Sequence, residues 1–299
     1  MIIDGHIHLF KRQSAAYPRA VSELFPPQRE SLAEEFLGLM ARHDVARAVV
    51  VPLASEDKYL RDCLSQYPGS FVGVAVQDEA DPDARGSQER RAKELRVRGL
   101  RVSRLGAPGT RRAEDLDLYP ALDGMADRGE KLWFYAPPDQ LPLLALVPAA
   151  LPNLTVVLNH LGFCPTGFVV GPDGLPHIES ELPAPTLPLV LALAKHPNTF
   201  VMVSGQYGYS KQAYPYGDLT STVRAIFDAY GPDRMFWASD YPWIARAPGY
   251  ERMIELPSYE LPHLSTSDLD SIMRRTVSRI FDLEETLEVS AEGLSKGAP

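Results

Sequence analysis

Cysteine is scarce in this chain, and its placement excludes a disulfide framework. Cys63 and Cys164 are the only two cysteines among 299 residues, and they lie far apart in the sequence. Disulfide scaffolds and cysteine-based zinc sites both need several cysteines at short spacings. We therefore expect two reduced thiols in a cytoplasmic protein.

The chain also has fewer positively than negatively charged residues, and it lacks long apolar runs. Lys and Arg number 30 against 39 Asp and Glu, so the net charge of −9 argues against general binding to nucleic acid or to anionic membranes. No apolar run approaches the roughly 20 residues of a membrane span, and the chain does not open with a basic segment followed by an apolar one. The expected partner is a small molecule, with no nucleic acid and no membrane.

The chain has no repeat of fixed period, and what it shows instead is an alternation of two patterns. Short runs rich in Val, Ile, Leu and aromatic residues alternate with stretches of helical periodicity, which indicates parallel strands. The runs lie at 2–8, 45–52, 71–77, 99–103, 131–136, 154–160, 199–204 and 235–240. The helical stretches lie near 29–43, 56–66, 87–97, 115–128, 138–150, 186–196, 217–230, 249–256 and 265–281.

This alternation predicts an α/β fold, a single (β/α)8 TIM barrel with C-terminal helices. A doubly wound open sheet is the alternative, but it usually has fewer strands and often a Gly-rich phosphate-binding turn, which is absent from this sequence. We expect the barrel domain to span residues 1–283. Residues 284–299 are predicted to form a disordered tail.

The first predicted strand contains two histidines, His6 and His8. Successive strand side chains alternate between faces, so both imidazoles point the same way. Ile2, Ile3 and Ile7 indicate an interior strand, where two histidines are costly unless something binds them. From this motif alone, a metal ion and an ordinary pair of hydrogen-bonded or solvated histidines are both open interpretations.

The predicted barrel places further polar residues at the same rim, because catalytic groups gather at the carboxyl ends of barrel strands. His6 and His8 close the first strand, His160 closes the sixth, and Asp240 closes the eighth. A metal ion held by His6, His8 and Asp240 would keep coordination positions open for water and substrate. Asp240 and His160 are the predicted catalytic residues: Asp240 carries a proton, and His160 holds the substrate carbonyl or acts as another ligand. Asp240 is also a candidate helix N-cap.

The motifs around these residues resemble the amidohydrolase superfamily, specifically its amidohydrolase-2 branch. They are the His-x-His of the first strand, His160 in LNHLG and Asp240 in ASDYPW, and the resemblance runs from Met1 to about Phe281. Together with GLRVS, they look most like the sugar-lactone and 2-pyrone-4,6-dicarboxylate lactonase group. The resemblance implies a metal-binding first-strand pair, a sixth-strand histidine and an eighth-strand aspartate that handles protons.

The sequence departs from the wider superfamily at two strands. Arg101 stands where many members carry a lysine or glutamate, and Tyr135 lies on the strand where many carry a histidine. A two-metal centre bridged by a carboxylated lysine is therefore not expected. The resemblance further implies that decarboxylases of this branch use the missing histidine, whereas lactonases tolerate its absence and some work without metal. The expected cofactor is one divalent ion, zinc, with its occupancy left open.

Arginine and aromatic residues near the predicted rim indicate the kind of substrate. Arg101 and Arg104 are candidates to grip a carboxylate in bidentate fashion, although Arg104 is as well explained by a pair with a rim carboxylate. Tyr135, Tyr207 and Trp243 are candidates for an aromatic pocket wall. We expect a small substrate that is carboxylated or aromatic.

Three functions from different classes fit these residues. The first is a metal-dependent hydrolase that opens a lactone, ester or related cyclic acyl bond with activated water and Asp240 as proton carrier. The second is a metal-dependent, non-oxidative decarboxylase of an aromatic or unsaturated carboxylic acid, and the third is a catalytically silent ligand-binding barrel. The missing fifth-strand histidine argues against the second, and the complete set of rim residues argues against the third. The oligomeric state is open, with a homodimer as the commonest assembly.

Overall fold

Parallel strands form a ring in the part of the chain that the computed structural model describes, residues 1–172 and 174–283. The ring strands are β1 Ile2–Ile7, β2 Val45–Val50, β3 Phe71–Gly73, β4 Ala75–Val76, β5 Gly99–Val102, β6 Lys131–Phe134, β7 Thr155–Leu158, β10 Thr199–Val203 and β11 Met235–Trp237. A separate antiparallel hairpin joins β8 Val169–Val170 to β9 Pro176–His177. The hairpin lies in the long connection between β7 and β10.

Backbone hydrogen bonds order these strands into two parallel sheets. One sheet has the order β1, β2, β3, and the other has the order β11, β10, β7, β6, β5, β4. β3 and β4 are one strand interrupted at Val74, whose backbone N–H donates to the carbonyl oxygen of Val50 at 3.0 Å. The two sheets are therefore continuous on this side.

On the other side, β1 meets the residues that follow β11. The backbone N–H of Asp240 donates to the carbonyl of His6 at 3.0 Å, and the N–H of His8 donates to the carbonyl of Tyr241 at 2.7 Å. With β3 and β4 counted as one strand, the ring closes as an eight-stranded barrel. The predicted TIM barrel is confirmed, and its closing seam contains three of the predicted site residues.

Helices surround the barrel and follow an amphipathic pattern. In α1, the buried residues Ala33, Phe36 and Met40 recur at helical spacing and face the strands. The helices are α1 Ala33–Arg42, α2 Lys58–Gln66, α3 Ala84–Leu95, α4 Tyr119–Asp127, α5 Leu141–Leu144, α6 Val147–Ala150, α7 Leu187–Leu193, α8 Gln206–Tyr209, α9 Thr220–Tyr230, α10 Tyr250–Glu260, α11 Thr266–Asp270 and α12 Thr276–Phe281.

Two of the predicted helices are interrupted. The stretch 138–150 contains Pro142 and Pro148, and each proline opens a separate short helix, α5 and α6. This agrees with the preference of proline for the first helical turn and its exclusion from helix interiors. The stretch 265–281 is split by a π-helical turn at Ser271–Arg275 between α11 and α12.

The inside of the barrel is filled by side chains, and its amino-terminal end is plugged. Trp133 and Phe236 pack at the centre, with ring centroids 5.8 Å apart, and Phe281 of α12 lies 5.7 Å from Trp133. Arg98, just before β5, pairs with Asp282 at 3.2 Å and ties the end of α12 to this side. The carboxyl end of the barrel is left for a site.

No helix within residues 1–172 and 174–283 has both the length and the apolar character needed to cross a membrane. The predicted tail at 284–299 lies outside the described residues. The cytoplasmic location and the homodimer stay predictions.

Gly5 tests the packing at the seam. A Cβ at Gly5 would lie 2.5 Å from the ring of Phe236 and 2.9 Å from the carbonyl oxygen of Trp237, both on β11. We expect Gly5→Ala to destabilise the protein by about 1–3 kcal/mol, the usual effect of overpacking, and to lower its Tm in calorimetry.

The matched control is Gly38→Ala on α1, where the nearest atom to a new Cβ is Arg42 Nη1 at 3.7 Å. Alanine favours the helix there by about 0.5–1 kcal/mol, so the Tm should not fall. An unchanged Tm in Gly5→Ala would contradict the close packing of β1 against β11.

Candidate active site

A bulge in β1 turns both of its histidines into the barrel. Ile3 belongs to the buried interior cluster, and strict alternation would send His6 to the opposite face. The pairing of β1 with β2 shifts register between Asp4 and Ile7, so His6 also faces inward. The rings of His6 and His8 are 4.8 Å apart between centroids.

His160 and Asp240 leave their strands with left-handed backbone conformations. Their φ values are 47° and 59°, in a region that few residues other than glycine occupy. Such conformations cost about 1–3 kcal/mol and cluster at functional sites, although aspartate tolerates them better than most residues. The sharp turn at the end of each strand points both side chains over the barrel mouth.

The four predicted rim residues converge at one point. His6 Nε2 and His8 Nε2 lie 3.3 Å apart. Asp240 Oδ1 lies 3.4 Å from His8 Nε2 and 3.6 Å from His6 Nε2, and Asp240 Oδ2 lies 3.9 Å from His160 Nε2. All four side chains are buried. Four groups from three distant segments of the sequence thus share one desolvated centre.

Burial and mutual contact decide the charges of this centre. Burial lowers the pKa of His160 to about 4, and burial together with the neighbouring His8 holds the pKa of His6 well below its usual value. Burial alone would raise the pKa of Asp240, but the adjoining imidazoles outweigh it and hold that pKa well below its usual range. At neutral pH, the centre contains one carboxylate between neutral His6 and His160.

Tyr207 fixes one oxygen of that carboxylate. Its hydroxyl donates to Asp240 Oδ2 at 2.5 Å, and burial together with this negative neighbour raises the pKa of Tyr207. Asp240 Oδ1 is buried and has no hydrogen-bond partner within the described residues. This free oxygen faces the Nε2 atoms of His6 and His8.

His6, His8 and Asp240 could hold a metal ion, because their ligand atoms all lie within 4.8 Å of one another. His8 suits this role: its Nδ1 donates to the carbonyl of Val51 at 2.8 Å, so its Nε2 carries the lone pair. The unpartnered Oδ1 of Asp240 suits it as well. The donor set therefore fits an ion at these two ligands.

At His6 the hydrogen bonding favours a different state. Trp133 Nε1 donates to His6 Nδ1 at 3.2 Å, and an indole nitrogen is a donor only. A neutral His6 that accepts this bond carries its proton on Nε2, which then donates to His8 Nε2. His6 offers a lone pair to an ion only after it gives up the bond from Trp133.

A buried aspartate, Asp4, holds the two sides of the seam together and was not among the predicted residues. Its Oδ1 accepts from the backbone N–H of Ser239 at 2.9 Å and of His6 at 3.3 Å, and its Oδ2 accepts from the Tyr250 hydroxyl at 2.8 Å. Burial raises the pKa of Asp4 to about 6. Asp4 thus fixes the backbone next to Asp240.

A cavity of about 240 Å³ opens over this centre. It is small compared with most ligand pockets, so it fits a small substrate. The predicted residues that line it are His8, Arg101, Tyr135, His160, Tyr207, Asp240 and Trp243, and they are joined by Leu24, Phe25, Leu53, Phe168, Pro176, Ile178, Gly205, Gly208 and Tyr209.

Arg104 was predicted to bind substrate, and the structure places it outside the cavity, so this role stays a prediction. Its side chain is 43 % exposed, pairs with Asp117 at 2.8 Å and does not line the cavity. Asp117 lies in the loop after β5, which captures the guanidinium locally. The pair with a carboxylate, which was the alternative interpretation, is present in the structure.

Arg101 is the cation of the cavity. Its guanidinium lies over the ring of Tyr135 at 4.8 Å and has no ion pair or hydrogen bond with any described residue. Burial lowers its pKa, although not enough to discharge a guanidinium. The Tyr135 hydroxyl is paired with the Tyr209 hydroxyl at 3.1 Å. Arg101 is therefore available to a substrate oxygen.

A second buried acid, Glu260, lies behind the helix that presents Tyr207 and was also missed. Gln206 opens α8, and its Nε2 donates to both carboxyl oxygens of Glu260 at 3.1 and 3.3 Å. Burial raises the pKa of Glu260 from 4.5 to about 8. At neutral pH, most of this acid is protonated and supports α8 without adding a charge.

Comparison with known proteins identifies the family. Residues 3–283 match the amidohydrolase family model, which is nearly the whole chain. The chain belongs to the amidohydrolase family. The predicted family is confirmed.

One relative of known activity is the L-fucono-1,5-lactonase of Burkholderia ambifaria, 28 % identical over 262 residues that cover 83 % of this chain and 82 % of the relative. A candidate 2-pyrone-4,6-dicarboxylic acid hydrolase of Pseudomonas putida has a similar structure, with a TM-score of 0.69, 21 % identity and coverage of 95 % and 98 % of the two chains. A zinc-bound amidohydrolase of Burkholderia multivorans has a TM-score of 0.68, 20 % identity and coverage of 94 % and 99 %. These findings agree with the predicted lactonase-like hydrolase.

Trp133 tests the tautomer of His6. We expect Trp133→Phe to tighten zinc binding about tenfold, because His6 Nδ1 can then carry the proton and Nε2 becomes a ligand. Phenylalanine keeps an aromatic ring against Phe236 and Phe281, so the barrel interior stays packed. Calorimetric titration with zinc measures the change.

The matched control is Trp237→Phe, because the Trp237 indole donates to the carbonyl of Met253 at 2.8 Å, away from the site. It should leave zinc affinity unchanged. Zinc affinity that is the same or weaker in Trp133→Phe would show that Trp133 does not oppose ligation by His6.

The buried Glu260 should make the stability of the folded protein depend on pH. Its folded pKa of about 8 lies above the ordinary value of 4.5, so the folded state holds this proton more tightly than the unfolded chain. The stabilisation is complete below about pH 4.5 and is lost as the pH rises through about 8. Glu260→Gln cannot ionise, so its Tm relative to the unmodified protein should increase by a few degrees between pH 5 and pH 8.

Glu251→Gln is the control, because Glu251 is an exposed residue of the same helix, α10. It should shift the Tm by a small amount that does not depend on pH. A Tm difference for Glu260→Gln that is equally independent of pH would contradict the protonation of Glu260.

Proposed function

We propose that this protein is a hydrolase that opens a lactone with a water molecule and uses Asp240 as the proton carrier. The observation that carries the proposal is the ionised, buried carboxylate of Asp240 at the floor of a cavity, between neutral His6 and His160. The similarity to a lactonase over most of both chains supports the same class of reaction.

The proposed reaction begins with water beside Asp240. The carboxylate accepts a proton from the water while the water oxygen bonds to the lactone carbonyl carbon. The ring C–O bond then breaks, and Asp240 returns the proton to the departing alkoxide. The product is an open hydroxy acid, and Asp240 is again a carboxylate.

Charge develops on the carbonyl oxygen during the attack, and two residues are proposed to stabilise it. The nearby carboxylate favours a proton on His160 Nε2, while His160 Nδ1 is bonded to the Ser204 hydroxyl at 2.8 Å. The Arg101 guanidinium supplies a second donor. The low pKa that keeps Asp240 ionised also limits its strength as a base, so polarisation of the carbonyl must contribute to the rate.

The proposed cofactor is one divalent ion, with zinc as the predicted metal. His8 and Asp240 would hold it, together with His6 in its other tautomer and His160 as a further candidate ligand. When bound, such an ion polarises a carbonyl and lowers the pKa of a water ligand toward about 7. The bond from Trp133 to His6 makes weak binding the expectation.

Substrate recognition is proposed for the other predicted cavity residues. Arg101 is placed to contact a carboxylate or carbonyl oxygen, and Tyr135, Tyr207 and Trp243 form part of the wall around the substrate.

The alternative of decarboxylation at the same centre is disfavoured because Tyr135, rather than a histidine, follows β6 and is already bonded to Tyr209. The alternative of a catalytically silent ligand-binding barrel does not explain why Asp240 is ionised and held in a left-handed backbone conformation.

Asp240→Asn tests the proposal. Asparagine tolerates the left-handed backbone at this position, so the fold should survive, whereas the side chain can no longer accept the proton. We expect a loss of about 100-fold or more in kcat on lactones, followed as acid release with a pH indicator. Carbon dioxide release from hydroxybenzoates is measured in parallel.

The matched control is Asp233→Asn, where the carboxylate accepts from Ser271 on the far side of the barrel wall. It should retain lactone hydrolysis. Full lactonase activity in Asp240→Asn would remove Asp240 as the proton carrier, and carbon dioxide release without acid release from lactones would favour the decarboxylase.

A further inference from the structure

The outer wall of the cavity is made of hydrocarbon. Leu24 and Phe25 come from the segment between β1 and α1, Phe168 and Ile178 come from the segment that contains the β8–β9 hairpin, and Trp243 follows β11. Phe168 is 48 % exposed, which places it at the rim. Loops from three parts of the chain thus contribute apolar side chains to one wall.

Trp243 brings this apolar wall up to the reacting centre. Its ring lies 5.7 Å from the ring of His8 between centroids. The Trp243 ring also stacks on the ring of Phe10, with centroids 6.1 Å apart, and the Arg29 guanidinium lies 4.8 Å from its centroid. These contacts fix the position of Trp243. A substituent on a lactone held beside His8 would lie against this indole.

Partners for sugar hydroxyls are few in the same cavity. None of the described residues that line it is Ser, Thr, Asn, Gln, Lys or Glu. The three lining tyrosine hydroxyls already have hydrogen-bond partners, Tyr135 with Tyr209 and Tyr207 with Asp240. A polyhydroxylated ring would bury hydroxyls without partners, which costs affinity, whereas a hydrocarbon group would be well accommodated.

Resting on the proposed lactonase function, we infer that the substrate is a lactone with a hydrocarbon substituent and not a polyhydroxylated sugar lactone. The lactone carbonyl meets Asp240, His160 and Arg101 at the floor. The substituent leaves the ring on the side of Trp243 and extends along the apolar wall toward Phe168. We therefore do not expect this protein to share the sugar-lactone substrate of its lactonase relative.

A series of six-membered lactones with the same scissile bond tests this inference. It consists of δ-valerolactone, which has no substituent, δ-decalactone, which has a pentyl group, and glucono-1,5-lactone, which has hydroxyl groups. We expect kcat/KM for δ-decalactone to exceed that for δ-valerolactone by about tenfold or more, because each buried methylene adds to binding. The glucono-lactone should be the poorest substrate. Equal values, or a preference for the glucono-lactone, would overturn the inference while the lactonase function stands.

A binding experiment keeps the inference testable if no lactone is hydrolysed and the proposed function fails. Calorimetry on the intact protein compares 5-hydroxydecanoate with gluconate, the ring-opened acids of the two substituted lactones. The inference requires tighter binding of 5-hydroxydecanoate. Tighter binding of gluconate, or binding of neither acid, would overturn it.

Two variants locate the substituent. Ile178→Thr removes one carbon and adds a hydroxyl, and Phe168→Ser removes the ring of a half-exposed side chain. Each should lower the ratio of kcat/KM for δ-decalactone over δ-valerolactone about threefold or more. Tyr259→Ser, at an exposed aromatic residue of α10 outside the cavity, is the control and should leave that ratio unchanged. A ratio that Ile178→Thr and Phe168→Ser also leave unchanged would place the substituent elsewhere and overturn the inference.

Discussion

The pairing of β1 with the residues after β11 determines where the predicted site residues lie. The bond from the Asp240 N–H to the His6 carbonyl brings the first strand and the last strand into register at the predicted site residues themselves. Asp4 strengthens the same seam by accepting from Ser239 and His6. Closing the barrel and assembling the histidine and aspartate cluster are therefore one event, because the same few backbone groups do both.

The chemistry of the site follows from what this closure removes from water. Burial makes His160 and His6 neutral, and it leaves Asp240 as an ionised group held by Tyr207 and by its imidazole neighbours. Arg101 faces the same cavity without an ion pair or hydrogen bond between its guanidinium and another described residue. A neutral substrate that develops negative charge on a carbonyl oxygen suits this arrangement, and a lactone is such a substrate.

The strands and the convergence of the rim residues were predictable because both rest on general rules. Apolar runs mark buried strands, and the carboxyl ends of barrel strands meet at one rim, so His160 and Asp240 could be placed beside β1 without coordinates. Arg104 could not be assigned this way, because its capture by Asp117 depends on the path of a loop. The bond from Trp133 to His6, and the burial of Glu260 against Gln206, depend on side chains from distant elements that no local pattern records.

Nitrogen-15 NMR of the histidine side chains tests the protonation of this cluster, because imidazole nitrogen shifts report which nitrogens carry protons. We expect a His6 ring protonated on Nε2 and unprotonated on Nδ1 at neutral pH. We also expect a His160 ring that stays neutral until the pH falls to about 4. An imidazolium at either position that titrates near the ordinary value of 6.5, or a His6 ring protonated on Nδ1, would contradict the hydrogen-bonded cluster described for this site.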